Sequence, residues 1–413
     1  MRVCAYTRYM PQVSFDVLIV GSGLAGASCA YALARRDLST VICESTAQIC
    51  DKASGNRYAL LMPYITTRRS APHTLYASGF HHTHNLLSSA LQPARIFNAC
   101  GGIQLPTTKR LQNALDSSDE ILEPEGITRL TPMEGSARSG LELSTPSFFV
   151  PSGGYVSPRR LVDALLQSSH PRAVVRSSSR VVALRLLQSQ PQPEWQTELE
   201  DGERIITRYV VVCGAFETAT LEPTAWVPLE PIRGQTTIIR DIPASRALRT
   251  LVCFDGYLTP SESGEHLLGA HYRHHDLRED PSSEDTQEIL ARCRRWLPQL
   301  DFPMPDESAA RVCFRTSTID RLPYIGPVPD FATMRQEGST YRSGTDLREK
   351  VPLRSYPGLF MSAGHGSRGL LSCPMGGEII ARHIVGESLQ DLAPAAEICA
   401  PARAVYRLLS PHL

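Results

Sequence analysis

Lysine is nearly missing from this chain. Only Lys52, Lys109 and Lys350 occur, so 39 of the 42 basic residues are arginines. Its cations are therefore almost all planar, multidentate forks. Net charge is missing too: 42 basic residues stand against 42 acidic ones. That balance excludes binding of nucleic acid through bulk positive charge, although local basic patches remain open to it. No run reaches the ~18–20 apolar residues of a membrane helix. The first 14 residues hold Arg2 and Arg8 but no apolar core of a secretory leader. The eleven cysteines are scattered without a C-x-x-C pair, so reduced thiols in a cytoplasmic protein are expected. Neither His81, His82 and His84 nor His271, His274 and His275 has nearby cysteines or an H-E-x-x-H frame, and no metal site is expected. A convincing Ser/His/Asp or Cys/His set is also lacking.

What is present is ordinary globular usage: 413 residues, 42% apolar and 20% charged. At ~150 residues per domain this length suggests two or three domains. Phe15 to Val20 reads as a strand, and Gly21-Ser22-Gly23-Leu24-Ala25-Gly26 follows at once. Small residues through Ala34 suit a helix packed closely on a sheet, and Thr40 to Cys43 reads as a second buried strand ending at Glu44. This is a βαβ opening with a G-x-G-x-x-G turn. Glycines at those places permit a tight turn and close approach to a pyrophosphate, and the helix N-terminus offers aligned N–H groups. Glu44, 18 residues beyond Gly26, is placed to accept ribose hydroxyls. The turn alone does not separate NAD from FAD. A second glycine-rich loop at Gly364–Gly369, late in the chain, suits a long cofactor in two parts.

Other elements follow from capping and periodicity. Ser157 and Pro158 open a helix, and Ser282 or Ser283 caps another with an apolar stripe from Ile289 to Leu297. Residues 174–213 read as a β-meander, 331–356 as a polar surface loop, and Pro357 to Met361 as a strand.

Several ordered segments carry a family resemblance: DVLIVGSGLAGASCAYALARR from Asp16, ASGNRYALLMP from Ala53, GGYVSPRRLVDALL from Gly153 and VVVCGAFET from Val210. PIRGQ from Pro231, GYLTP from Gly256, STIDRLPYIGPVPD from Ser317 and PGLFMSAGHGSRGLLSCP from Pro357 complete the series. The chain resembles the FAD-dependent D-amino-acid oxidase-like superfamily. Within it, it is similar to the C-terminal oxidoreductase domains of the bifunctional tRNA 5-methylaminomethyl-2-thiouridine biosynthesis proteins. The resemblance implies an α/β fold in which a Rossmann-like FAD-binding domain (15–75, 150–228, 316–396) carries a second, α+β substrate domain (76–149, 229–315).

It also implies roles. Gly21, Ser22, Gly23, Ala25 and Gly26 would hold the FAD pyrophosphate and Glu44 the adenosine ribose. Ala53, Ser54, Gly55 and Asn56 would run along the diphosphate and ribityl chain. Backbone around Val182 and Gly214 would border the adenine half, and Gly364, His365, Gly366, Ser367, Arg368 and Gly369 would meet the flavin. Arg315 and Tyr257 stand where the family's glycine oxidases grip a carboxylate, with a structural ion pair between Arg315 and Asp320 as the alternative. His365 would tune the flavin or relay a proton.

The implied substrate is a tRNA wobble uridine bearing a 5-carboxymethylaminomethyl group, oxidised to release glyoxylate, with molecular oxygen as electron acceptor. A small-molecule glycine, sarcosine or D-amino-acid oxidase is the alternative. Because 14 residues precede the flavin fold, a stand-alone oxidoreductase is expected, with a separate methyltransferase acting downstream. Arg68, Arg69, Arg292, Arg294, Arg295 and Tyr272-Arg273-His274-His275 are candidate RNA contacts, with an ordinary charged face as the alternative for each. Charge neutrality then requires arginine-rich patches around the pocket and acidic residues elsewhere.

Overall fold

The computed structural model describes residues 15–94, 96–120, 126–341 and 347–409. The leader question concerns residues 1–14 and lies outside them.

In chain order, β1 (Val17–Val20) runs into α1 (Leu24–Ala34), and β2 (Thr40–Cys43) returns beside β1. Two capped helices follow. Ser70 caps α2 (Ala71–Ser88) by accepting from the His73 N–H, and Thr108 caps α3 (Lys109–Asp116) by accepting from the Leu111 N–H. Next come β3 (Ala173–Arg176), β4 (Tyr209–Val212), β5 (Leu229–Arg240) and β6 (Glu265–His274). Helix α4 (Ser283–Trp296), with Ser282 as its cap, leads to β7 (Ala310–Thr318), β8 (Tyr324–Pro329), β9 (Ser355–Ala363) and α5 (Gly369–Val385).

A six-stranded sheet in the order β8-β9-β4-β1-β2-β3 forms the first layer. All its pairs are parallel except β8 with β9. Its strands are buried on both faces, which is why β1 and β4 are continuous apolar runs rather than alternating ones. Val17 and Ile19 pack toward α1, α2 and α5, whereas Leu18 packs toward Trp195 and Leu184 of an antiparallel three-stranded sheet (Val181–Gln188, Glu194–Leu199, Arg204–Thr207). The meander expected over 174–213 is therefore three strands long, because β3 and β4 at its two ends belong to the parallel sheet instead.

The second layer is an eight-stranded, mostly antiparallel sheet with β7, β5 and β6 at one end. Apolar residues Ile289, Leu290, Cys293 and Leu297 of and just beyond α4 pack on one of its faces. Arg233 on β5 is fully buried and donates to Asp285 and to the carbonyls of Arg278 and Asp280, tying the loop before α4 to the sheet. Cys253, Tyr257 and Ala270 of the sheet join Met62, Ile65 and Leu111 from outside it in a separate apolar cluster.

Two sequence expectations shift. Residues 76–88 of α2, assigned to the substrate side, place Tyr76, Phe80 and Leu87 in the core of the parallel-sheet layer. Gly79 lets α2 approach α5: a Cβ there would meet the Leu371 carbonyl oxygen at 2.1 Å. The stretch 331–356 is not a plain loop. It holds helices Phe331–Gly338 and Leu347–Lys350, whose Met334 and Leu347 cluster with Val405.

Candidate active site

The carboxyl ends of β1, β2, β4 and β9 open into one cavity of about 1320 Å³. Ligands of open parallel sheets bind at this edge, because the following loops and helix N-termini converge there.

The turn after β1 is built for a close-fitting phosphate. Gly21 has φ +98°, and a Cβ on Gly26 would stand 1.9 Å from the Gly21 carbonyl oxygen. Gly23 precedes α1 without a side-chain cap, so the positive end of the helix dipole faces the cavity beside Gly23, Leu24 and Ala25. Ser54 Oγ accepts from the Leu24 N–H at 3.0 Å. Ser22 is buried and points away, its N–H and hydroxyl donating to Glu44 Oε2 at 2.9 and 2.6 Å. Glu44 Oε1 accepts from the Thr46 N–H and hydroxyl, each at 3.0 Å. Burial alone would raise this carboxyl's pKa, but the donors on Ser22 and Thr46 outweigh it and hold Glu44 below its ordinary range. It therefore lines the cavity as a carboxylate.

Ala53, Ser54, Asn56 and Gly214 also line this half. Gly26 and Gly55 lie behind the wall. At Gly55 a Cβ would meet the Cys50 carbonyl oxygen and Arg311 Nη2, both at 2.4 Å. Val182 is 46% exposed on the outer side of its strand, and Val181 faces the cavity instead. Alternate side chains of a strand point to opposite faces, so the backbone of this stretch runs beside the cavity while the Val182 side chain turns outward.

At the other end, Gly364, His365, Gly366, Ser367, Arg368 and Gly369 all line the cavity. Gly364 (φ +74°) and Gly366 (φ +54°) adopt the left-handed region, and the Gly366 N–H donates to the Thr316 carbonyl at 2.7 Å. Helix α5 starts here without a side-chain cap. His365 is held by both ring nitrogens, Nδ1 with Ser372 Oγ at 2.8 Å and Nε2 with Ser362 Oγ at 3.1 Å. Burial pushes its pKa down to about 4, so the ring is neutral near pH 7 and fixes the loop. Cys373 also lines the cavity, and burial keeps it a thiol by raising its pKa well above the usual value.

These residues fit FAD on three observations: the pyrophosphate-sized cradle at Gly21 and Gly26, the ionised Glu44 at the end of β2, and a second uncapped helix N-terminus across the same cavity.

The substrate half is lined by the eight-stranded sheet. Arg315 on β7 and Tyr257 both face it. Asp320 is not the partner of Arg315. It pairs with Arg403 at 2.9 Å, which, against the effect of burial, draws its pKa down to about 2. Arg315 instead lies with its guanidinium carbon 4.3 Å from the centroid of the Tyr272 ring. Its Nη1 is buried without a hydrogen-bond partner among the described residues. Burial works to lower its pKa, but Tyr272, Cys313 and Tyr257 leave it raised. The guanidinium is charged, half-buried and open to an incoming acceptor.

The RNA-contact expectations fare unevenly. Tyr272 belongs to the cavity. Arg273 pairs with Asp285 at 2.7 Å and His274 with Glu230 at 3.1 Å. Arg292 pairs with Glu288, Arg294 with Asp301 and Arg295 with Asp255. Each of these cations therefore has a carboxylate beside it, Asp255 and Asp301 coming from outside α4, so the arginines of this face do not form an unpaired basic patch. Arg68 and Arg69 are exposed. Sequence reading missed Arg110, which lines the cavity from α3. No motif marks it, and only the tertiary fold brings it there.

The family described as "DAO: FAD dependent oxidoreductase" matches residues 16–383. The tRNA 5-methylaminomethyl-2-thiouridine biosynthesis bifunctional protein MnmC of Pseudomonas putida (strain KT2440) is 32% identical over 407 residues, covering 95% of this chain and 60% of the relative. The protein of the same description from Pseudomonas entomophila (strain L48) is 33% identical over 412 residues, covering 95% and 60%. The chain thus spans about 60% of the length of these curated relatives. Among solved structures, glycine oxidase from Geobacillus kaustophilus superposes with a TM-score of 0.70 at 21% identity, over 92% of this chain and 98% of that one.

Proposed function

Since the chain belongs to the FAD dependent oxidoreductase family, we propose that this FAD-dependent enzyme oxidises the 5-carboxymethylaminomethyl group of a tRNA wobble uridine, releasing its carboxymethyl carbon pair as glyoxylate. The observation that carries this reading is the carboxylate-free Arg315, half-buried against Tyr272 beside Tyr257 in the cavity that the flavin loop closes. The kinship over 95% of the chain with proteins described as acting in tRNA 5-methylaminomethyl-2-thiouridine biosynthesis supports the choice of substrate.

Chemically, the substrate group is an N-substituted glycine. Bound FAD supplies a two-electron acceptor for the Cα–H of that glycine unit, and molecular oxygen is the proposed final acceptor. The chain's own residues bind and orient. Arg315 takes the carboxylate as a bidentate partner, and the Tyr257 hydroxyl provides a further donor. Because both sit on strands of one sheet, the carboxylate is fixed and the adjacent Cα–H has few orientations left. Apolar Met62, Ile65, Leu111 and Ala270 keep water from the reacting carbon. His365, neutral and doubly hydrogen-bonded, places the backbone of 364–369 without carrying charge. The oxidised C–N bond is an imine that water splits into glyoxylate and a 5-aminomethyl uridine, leaving a primary amine for a methyltransferase acting next.

Nucleoside analysis by mass spectrometry tests the reading. The holoenzyme is incubated with tRNA carrying the carboxymethylaminomethyl uridine, and conversion to aminomethyl uridine with matching glyoxylate supports it. Turnover of glycine or sarcosine with the tRNA unchanged would establish the small-molecule oxidase instead.

A further inference from the structure

Two guanidinium groups that line the cavity, one from α3 and one from the 364–369 loop, share one aromatic ring. The guanidinium carbon of Arg110 lies 4.2 Å and that of Arg368 lies 5.2 Å from the centroid of Tyr64. Arg368 also lies 5.0 Å from the Tyr76 ring. Neither arginine forms an ion pair among the described residues, and Arg110 Nη1 is buried without a hydrogen-bond partner. Five carboxylates among the described residues line the same cavity, Glu44, Asp51, Glu217, Asp255 and Glu279, and none of them forms an ion pair with either arginine. Cation–π contact with Tyr64 offsets part of the cost of burying two like charges, but an unmet guanidinium N–H in a half-buried site costs as much as a lost hydrogen bond. Burial lowers the pKa of both, and the nearby Arg368 charge adds to the lowering at Arg110, with Tyr64 opposing at each. An oxyanion between them would remove both penalties.

Arg315 belongs to a different group of contacts, with Tyr272, Cys313 and Tyr257 as its electrostatic neighbours. Lys52 and Arg180 in the same lining pair with Glu217, and Arg311 donates to the Asp51 carbonyl, which leaves Arg315 and the Arg110–Arg368 pair as two separate cationic points. One suffices for the carboxylate of an N-substituted glycine, which leaves the other without a function in that reaction.

We propose that Arg110, supported by Arg368 on the Tyr64 ring, forms a second oxyanion subsite that grips another anionic group of the same substrate. In a nucleotide that group is a phosphate, and in a small diacid it would be a second carboxylate. The phosphate assignment rests on the tRNA reading, whereas the oxyanion subsite does not.

The test is equilibrium binding to the holoenzyme, followed by perturbation of the flavin's visible spectrum. Uridine, uridine monophosphate, malonate and glycolate are titrated into wild type, Arg110→Gln and Arg110→Lys. The expected result is uridine monophosphate binding roughly 10- to 100-fold tighter than uridine in wild type. That advantage should vanish in Arg110→Gln and partly return in Arg110→Lys, with glycolate binding equal in all three. Dependence on Arg110 for malonate but not for uridine monophosphate would uphold the subsite while counting against the tRNA reading. Equal affinities for both anions in wild type and both variants would overturn the proposal, whatever the tRNA assay gives. Should Arg110→Gln lose flavin, the Arg110→Lys comparison decides alone, because it keeps the charge and the contact with Tyr64.

Discussion

Tyr272 reaches Arg315 across an intervening strand. The two sit on β6 and β7, the neighbours of β5 on either side, and the ring passes over Gly234, where a Cβ would stand 3.3 Å from Tyr272 Cε1. The glycine thus leaves room for an aromatic face that holds the guanidinium 4.3 Å from its centroid without neutralising it. An acidic partner would have quenched the charge. A tyrosine keeps it available.

Replacing Arg315 follows directly from this arrangement. A bidentate charge-assisted pair contributes ~1.5–3 kcal/mol, or about 10- to 150-fold in affinity. Arg315→Ala should therefore lower kcat/KM for the carboxylated substrate by about that factor or more while retaining bound flavin. Arg315→Lys, which keeps the charge but loses the fork, should recover only part of it. Steady-state kinetics alongside the flavin absorbance checks both. Loss of flavin in Arg315→Ala would assign the residue a structural role.

Gly26 tests the cofactor cradle. Any side chain there drives a carbon to within 1.9 Å of the Gly21 carbonyl oxygen, so Gly26→Ala must displace either the turn or α1. The expected outcome is protein purified with little or no flavin, measured by the ratio of visible to ultraviolet absorbance. A fully yellow Gly26→Ala protein would contradict the geometry.

Glu44 is the anchor of the same turn. Glu44→Gln turns one of the two carboxylate oxygens into an amide donor facing the N–H and O–H groups of Ser22 or Thr46. A buried donor–donor clash costs ~1–3 kcal/mol, so FAD affinity should fall by about tenfold or more in a fluorescence titration of released flavin.

Acid should weaken the fold through His365. Its pKa is pushed down to about 4 from an ordinary 6.5, so the unfolded chain binds the proton first. The contribution is complete above pH 6.5 and is lost progressively as the pH falls toward 4, up to about 3 kcal/mol in all. The depressed carboxyl of Glu44 works in the same direction at lower pH. Unfolding of wild type and His365→Gln at a series of pH values checks the sign: the stability lead of wild type should shrink as pH drops through this window. A lead that grows on acidification would contradict it.

The sequence was most legible where one local segment does a whole job. The turn at Gly21–Gly26 and the loop at Gly364–Gly369 each combine a strand end, glycines and a helix N-terminus within a few residues, and each lines the cavity. Legibility failed where side chains from distant strands meet. Tyr272 lies in a Tyr-Arg-His-His run that resembles a surface patch, and only its pairing opposite Gly234 turns the ring inward. Arg110 follows a helix cap with no motif around it, and its position depends on α3 packing Leu111 into the cluster with Met62 and Ile65. The ion pairs of the α4 arginines were not legible for a related reason: carboxylate partners such as Asp255 and Asp301 come from outside the helix.

Flavin reduction without oxygen tests the central claim most directly. Holoenzyme is mixed anaerobically with tRNA bearing the 5-carboxymethylaminomethyl uridine, and the flavin's visible absorbance is followed alongside glyoxylate. The expected result is complete bleaching, with one glyoxylate released per flavin reduced, and far slower bleaching by glycine or sarcosine at equal concentration. Rapid bleaching by glycine or sarcosine, with the tRNA leaving the flavin oxidised, would contradict it.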